Sequence, residues 1–174
     1  PDAFADRMQS CLKSLQKNEA IADRVKVTPE TCFAGFDGYK QLIASGVDVV
    51  LLATPPHFRP MHLKACVEAG KHVFCEKPMA VDAPGVRSIL ESAELAKQKK
   101  LSVVSGFCWR YHTGVQETMK RVLDGAIGDI LAIQETYNTG TLWQRPRQPD
   151  WTEMEFQMRN WYYFTWLSGD HNVE

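Results

Sequence analysis

The chain lacks a long apolar run, an excess of charge of either sign, and any closely spaced pair of cysteines. Its longest apolar run, residues 49–53, is far shorter than the roughly 20 residues that a membrane-spanning helix needs. A formal net charge of −1 gives no basic surface for a nucleic acid or an anionic membrane. The cysteine spacing matches neither a zinc site nor a redox motif. We therefore expect a soluble protein with no metal site, no nucleic-acid partner and no membrane partner.

The cysteines and the first residues bear on the cellular compartment. The odd number of cysteines argues against a fully paired disulfide framework, so we interpret them as free, mostly buried thiols, which favours a reducing compartment. They are Cys11, Cys32, Cys66, Cys75 and Cys108. No export signal is visible at the start, although the chain begins with Pro1 and not with Met. We expect a cytoplasmic protein by default, or a periplasmic one if an export signal lies upstream.

What the sequence does contain is a regular alternation of helical and strand-like patterns. Apolar positions three or four apart predict an amphipathic helix over residues 3–17, and residues 25–27 predict a short strand. A helix is predicted at 39–44, ended by Ser45-Gly46. The apolar, β-branched run at 47–54 is typical of a parallel strand that is covered on both faces.

The same alternation continues through the middle of the chain. A helix is predicted at 59–69, a strand at 72–75, a helix capped by Asp82 that runs to about residue 100, and a strand at 101–107. Strand, helix, strand, helix, strand is the pattern of βαβ units. The sequence therefore predicts an α/β fold with a doubly wound, Rossmann-type parallel sheet and ligands at the carboxyl ends of its strands.

After residue 110 the pattern changes. A helix is predicted at 115–124, and residues 130–137 partly alternate between apolar and polar, as at the start of a second, sheet-containing domain. From residue 141 onward the chain is rich in Trp, Arg and Pro, and such a segment needs a surface to pack on. We divide the chain into a partial nucleotide-binding domain, 1–110, and a linker helix with the start of a carboxyl-terminal α/β domain with an open sheet, 111–174.

Two strand ends carry residues suited to chemistry. After the first, Thr54-Pro55 precedes a helix, where free backbone N–H groups suit phosphate or ribose oxygens; a plain turn is the alternative. After the second, Glu76 and Lys77 can reach the same crevice from opposite sides of the pleat. Lys77 could hold or polarise a substrate hydroxyl, and partial desolvation would lower its pKa. The alternative is a solvated ion pair before a turn.

Several motifs in order resemble one family. Residues 47–55 (VDVVLLATP) and 70–78 (GKHVFCEKP) match its D-x-V-x-x-A-T-P and A-G-K-H-V-x-x-E-K-P segments at the family's spacing. Residues 109–111 (WRY) and 125–130 (GAIGDI) resemble its linking segment. On these residues the chain resembles the glucose-fructose oxidoreductase and inositol dehydrogenase family over nearly its whole length.

The resemblance implies an NAD- or NADP-dependent enzyme that moves a hydride between nicotinamide and a hydroxyl carbon of a sugar, polyol or related carbohydrate. By the same resemblance, Lys77 is the catalytic residue that holds the reacting hydroxyl, and Glu76 lies near the nicotinamide ribose. Thr54 and Pro55 line the nicotinamide side. Arg110 is a candidate contact for cofactor or substrate, with a surface ion pair as the alternative. The resemblance also implies a homo-oligomer for the intact protein.

The chain departs from the family pattern at its beginning. No counterpart of the glycine-rich first turn precedes Asp2, so we expect the polypeptide as given to bind NAD(H) weakly or not at all. Asp2 resembles the acidic residue that bonds the ribose of NAD, although a helix N-cap is the alternative. Asp2 favours NAD, whereas Arg7 could accept the phosphate of NADP. Where many relatives have Asn and then His after Thr-Pro, this chain has Pro56 and Arg59, and His57 is a candidate replacement for the cofactor contact.

The chain also departs from the pattern at its end. The family places an acid and a His four residues apart on one helix face, the His serving as acid and base. Here Asp170 is followed four positions later by Glu174, and His171 is at the wrong spacing, so we interpret His171 as a local residue. The alternative to an enzyme is a non-catalytic relative that binds a nucleotide or a sugar in a regulatory or structural role.

Overall fold

The computed structural model of the chain describes residues 1–170 and 173. Among these, the α-helices are α1 (Ala5–Lys17), α2 (Gly38–Ala44), α3 (Arg59–Glu68), α4 (Ala83–Gln98), α5 (Cys108–Tyr111), α6 (Thr113–Leu123), α7 (Glu153–Arg159) and α8 (Thr165–Ser168). The strands are β1 (Val49–Leu52), β2 (His72–Cys75) and β3 (Val103–Ser105). Short 3-10 helices lie at Ala22–Arg24, Pro29–Thr31, Pro56–Phe58 and Trp161–Tyr163. None of the described helices is both long and apolar enough to cross a membrane.

The three strands form one parallel sheet in the order β1-β2-β3. Val73 of β2 lies between Val50 of β1 and Val103 of β3, and this register holds along the sheet. Helix α3 connects β1 to β2, and α4 connects β2 to β3. The prediction of a Rossmann-type α/β fold with a parallel sheet is confirmed.

The hydrophobic core lies between this sheet and helices α3 and α4. Leu63 and Val67 of α3 are fully buried, and side chains of this kind stabilise a fold by about 1.5–3 kcal/mol each when they are removed from water. The other buried members are Val50, Leu52, Cys66, Val73, Cys75 and Ala96. The buried strand residues alternate along β1 and β2, so one face of the sheet supplies them.

The opposite face of the sheet is open in the described part of the chain. Leu51 is 72% exposed, Val49 57% and Val104 41%. The expectation that both faces of β1 are covered is therefore wrong for these residues. The reason is topological: the strands are added in one direction, so two right-handed crossovers place α3 and α4 on the same face.

The prediction of a strand at residues 25–27 is wrong. Residues 25–27 follow a 3-10 helix and form no strand, and residues 130–148 contain neither helix nor strand. Leu131 is 92% exposed, and Ile133 and Tyr137 are 84% and 88% exposed. A strand needs a neighbouring strand for its N–H and C=O groups, and an alternating pattern alone does not supply that neighbour.

The Trp- and Arg-rich segment after residue 141 packs on the amino-terminal part of the chain. Arg159 donates from Nη1 and Nη2 to the two carboxylate oxygens of Asp6, at 3.0 Å each, and from Nε to Glu155 at 2.8 Å. Its guanidinium also lies 4.0 Å from the ring centroid of Phe4. The hydrogen bond from Arg159 holds the pKa of Asp6 below its ordinary value. The start of α1 thus provides the surface that this segment needs.

The cysteines only partly match their prediction. All five are free. Cys66 and Cys75 are buried, and burial raises the pKa of each thiol to about 11, so both stay protonated near neutral pH. Cys11 and Cys108 are exposed and Cys32 is half-buried, so the expectation of mostly buried thiols is wrong.

Candidate functional site

The candidate site lies where β1 and β2 end side by side. Leu52 and Cys75 are partners in the parallel register, and the backbone N–H of Glu76 donates to the carbonyl of Leu52 at 2.9 Å. Thr54 follows β1, and Lys77 follows β2, at this same edge. The site residues Thr54, Pro55, Glu76 and Lys77 are all half-buried. The structure therefore brings the two predicted strand-end motifs together.

Gly106, just after β3, makes room for Glu76. The N–H of Gly106 donates to the carbonyl of Cys75 at 2.7 Å. A Cβ at this position would lie 2.8 Å from Oε2 of Glu76 and 3.1 Å from Cζ of Phe74. The Glu76 carboxylate thus lies across the end of the third strand. Sequence reasoning missed Gly106; a glycine directly after a strand, where another group approaches closely, was the available signal.

If Glu76 binds the ribose as predicted, Gly106→Ala in the full-length protein should raise the KM for the dinucleotide about five- to tenfold, because the new methyl group displaces the Glu76 carboxylate. Steady-state kinetics at varied cofactor concentration measure this. Gly140→Ala is the matched control, since a Cβ at Gly140 meets nothing within 4 Å. An unchanged cofactor KM in Gly106→Ala would contradict the role of Glu76.

Thr54 is held by a buried histidine that sequence reasoning also missed. Nδ1 of His62 lies 3.2 Å from Oγ1 of Thr54, within hydrogen-bond distance. His62 is buried in α3, and burial lowers its pKa to about 4, so the imidazole is neutral near pH 7. Its ring centroid lies 4.4 Å from that of Tyr39. The arrangement fixes the Thr54 side chain from behind the site.

Arg59, the first residue of α3, is a second buried polar group behind the site. Its Nη2 donates to the carbonyl oxygen of Thr54 at 2.7 Å, and its Nη1 donates to the carbonyl oxygen of Pro78. The Lys77-Pro78 peptide bond is cis. In the sequence Arg59 stood out only as a departure from the family pattern. Its burial, at 3% exposure, becomes visible only in the fold.

His57 contacts the carboxyl-terminal segment. It is exposed and lies in the 3-10 helix between Thr54 and α3. Its ring meets that of Trp166 in α8 edge-on at a centroid distance of 5.3 Å, and that of Phe58 at 5.0 Å. Its assignment as a cofactor contact stays a prediction.

Arg110 lies in α5 beyond the end of β3 and is exposed. Its carbonyl oxygen accepts a hydrogen bond from Nε2 of Gln116 at 2.8 Å. Within residues 1–170 we find no salt bridge to its guanidinium, so the surface ion pair offered as the alternative is not seen there. Its contact with cofactor or substrate stays a prediction.

Asp2 lies apart from the three-stranded sheet, in a single parallel bridge with Ala34. Its Oδ1 accepts a hydrogen bond from the N–H of Phe4 at 2.9 Å, and its Oδ2 lies 3.8 Å from Nε of Arg7. The N-cap residue of α1 is Phe4, so the interpretation of Asp2 as that cap is wrong. Its role as a ribose ligand stays a prediction. At the carboxyl-terminal end, His171 and Glu174 lie outside the described part of the chain.

The local geometry fits one part of a dinucleotide. The carboxyl ends of parallel strands are where α/β sheets bind ligands, and here Thr54 follows β1 while Glu76 and Lys77 follow β2. The assignment of these residues to the nicotinamide and its ribose stays a prediction.

A parallel sheet with helical crossovers and polar residues after its strand ends is the arrangement of a nucleotide-binding α/β domain. Comparison with known families agrees: the sequence model described as an oxidoreductase family with an NAD-binding Rossmann fold matches residues 7–107. The chain belongs to this family, named for glucose-fructose oxidoreductase and inositol dehydrogenase.

Individual relatives are similar over part of their length. Inositol 2-dehydrogenase 1 of Saccharopolyspora erythraea is 44% identical over 90 residues, which are 51% of this chain and 26% of the relative. Inositol 2-dehydrogenase of Pseudomonas savastanoi pv. phaseolicola is 34% identical over 139 residues, which are 74% of this chain and 40% of the relative. The chain thus spans between about a quarter and two fifths of these relatives.

Among solved structures, the aldose-aldose oxidoreductase of Caulobacter crescentus, complexed with glycerol, superposes with a TM-score of 0.54. It is 23% identical, and the match covers 73% of this chain and 34% of that protein. At this identity the likeness concerns the fold alone.

Proposed function

We propose that this chain is the part of an NAD- or NADP-dependent oxidoreductase where nicotinamide and the reacting hydroxyl of a sugar or polyol meet. The adjacency of Thr54-Pro55 and Glu76-Lys77 at one sheet edge carries the proposal. Family membership supports it, because the matching family is one of oxidoreductases with an NAD-binding Rossmann fold.

In this proposal each site residue has a separate task. Lys77 donates a hydrogen bond to the reacting hydroxyl and stabilises negative charge that develops on its oxygen. Glu76 binds the ribose on the nicotinamide side, and Thr54 and Pro55 line that side of the crevice. His57 and Arg110 flank it, and Asp2 binds the other ribose. The bound dinucleotide supplies the hydride chemistry, while the chain's residues orient the reactants and exclude water.

The substrate proposal is a polyol or sugar, with cyclic polyols first, since the similar relatives are named as inositol 2-dehydrogenases. The proposed cofactor is NAD or NADP. Asp2 favours NAD, and Arg7 beside it could bind the additional phosphate of NADP. We also propose that residues 1–110 belong to the nucleotide-binding domain, that residues 111–174 start the next domain, and that the intact protein is a homo-oligomer. The cytoplasm is the default compartment, and the periplasm is the alternative if an export signal lies upstream.

The full-length protein should reduce NAD or NADP in the presence of a cyclic polyol or an aldose. The assay follows NADH or NADPH absorbance with inositol isomers, aldoses and linear polyols, each with both dinucleotides. Dinucleotide binding is measured in parallel by fluorescence titration. Binding without turnover on any of these compounds would favour a non-catalytic binding protein. The absence of both binding and turnover would contradict the oxidoreductase and the binding protein alike.

A further inference from the structure

The position of Arg59 is costly for the fold, which indicates a specific task. It is the first residue of α3, where a positive charge is opposed by the helix dipole. It is also only 3% exposed, and removing a guanidinium from water costs free energy unless hydrogen bonds replace its hydration. A small polar residue at this helix start would avoid both costs.

The hydrogen bonds of Arg59 connect the two halves of the site. One nitrogen of the guanidinium, Nη2, donates to the Thr54 carbonyl at 2.7 Å; the other, Nη1, donates to the Pro78 carbonyl. These carbonyls belong to the segments that follow β1 and β2. Among the described residues, the last backbone hydrogen bond between the two strands runs from the N–H of Glu76 to the carbonyl of Leu52. Arg59 therefore continues the connection beyond the strand ends.

We propose that Arg59 is a positioning residue that holds Lys77 at a fixed distance from the nicotinamide-side segment at Thr54-Pro55. The expected effect on kcat rests on the proposed function. The expected effect on the backbone of the two segments does not. Lys77 directly precedes the Pro78 carbonyl, so a hydrogen bond to that carbonyl limits the motion of the Lys77 backbone. A planar guanidinium holds two acceptors at once in one geometry, which a lysine ammonium group on its flexible stem does not reproduce.

The kinetic test is Arg59→Met in the full-length protein. We expect kcat to fall about ten- to a hundredfold, because a displacement of about 1 Å at a reacting group has an effect of this size. The KM for the polyol should change less than about threefold, since Lys77 itself remains present. Arg59→Lys should recover much of the lost thermal stability and little of the lost kcat.

Val67→Ala is the matched control. Val67 lies on the same helix and is fully buried in the core, so its truncation lowers Tm without touching either strand end. We expect its kcat to stay within about twofold of the unsubstituted protein. Equal losses of kcat in Arg59→Met and Val67→Ala, or full recovery of kcat in Arg59→Lys, would overturn the positioning role.

Hydrogen exchange tests the same proposal without any substrate. The Phe58 amide, which donates to the Pro55 carbonyl, and the Glu76 amide, which donates to the Leu52 carbonyl, should exchange faster in Arg59→Met. In Val67→Ala these two amides should keep their rates relative to the rest of the sheet. Unchanged rates in Arg59→Met would refute the connection. If the unsubstituted protein turns over none of the polyols, the proposed function fails, while the exchange rates still decide the role of Arg59.

Discussion

Lys77→Met in the full-length protein is expected to lower kcat about a thousandfold and to leave the Kd for NADH within about twofold of its starting value. The reason is the place of Lys77, which is half-buried at the sheet edge, one residue beyond Glu76 and beside the end of β1. In the proposed function Lys77 holds the reacting hydroxyl and so contributes mainly to the chemical step, whereas other residues would bind most of the dinucleotide. Absorbance kinetics and fluorescence titration measure the two quantities separately.

Lys64→Met provides the matched control for Lys77→Met. Lys64 is exposed on α3, so the same change in charge and side-chain shape occurs there on the surface. We expect kcat and the Kd for NADH to be unchanged in this control. A Lys77→Met protein that keeps more than about a tenth of its kcat would remove Lys77 from the chemical step.

The part of the fold that the sequence predicts well is the part with strong local signals. Strand β2 occupies residues 72–75 as predicted, since the short apolar run at 73–75 follows the helix-ending Gly70 and precedes Glu76 and Lys77. Helix α4 begins directly after Asp82, whose Oδ1 accepts a hydrogen bond from the N–H of Gly85 at 2.7 Å, the arrangement expected of an N-cap. In both cases neighbouring residues determine the structure.

The failed predictions concern partners that are distant in sequence. The run at 47–54 has the composition of a strand covered on both faces, but exposure of Leu51 depends on which other segments pack on the sheet. Residues 25–27 have a strand-like composition but form no strand in the described chain. Likewise, the Arg159 and Asp6 side chains meet across almost the whole sequence, and no local pattern predicts such a pair.

The candidate site also contains residues that the sequence predicted and residues that it did not. Thr54 and Lys77 were expected near each other because consecutive parallel strands of a βαβ unit end at the same edge. Arg59 and His62 were not expected there, because a polar residue at a helix start or on a helix face is normally exposed. Their burial depends on how α3 sits against the strand ends, which only the three-dimensional structure gives.

Buried His62 should make the protein less stable in mild acid. Its pKa is lowered from 6.5 to about 4 in the folded protein, so between these values the unfolded chain binds a proton that the folded chain does not. Stability therefore rises with pH across this window: the contribution is fully present above about pH 6.5 and is lost as the pH falls toward 4. The whole shift corresponds to at most about 3 kcal/mol of unfolding free energy.

His62→Phe tests this assignment, because a phenylalanine keeps a ring beside Tyr39 and has no group to protonate. Denaturant unfolding between pH 4 and pH 7 should show a slope with pH that is smaller in His62→Phe than in the unsubstituted protein. Leu63→Val, a neighbouring change in the core, should lower stability by about 1 kcal/mol at every pH and keep the original slope. An unaltered slope in His62→Phe would mean that other groups cause the acid sensitivity.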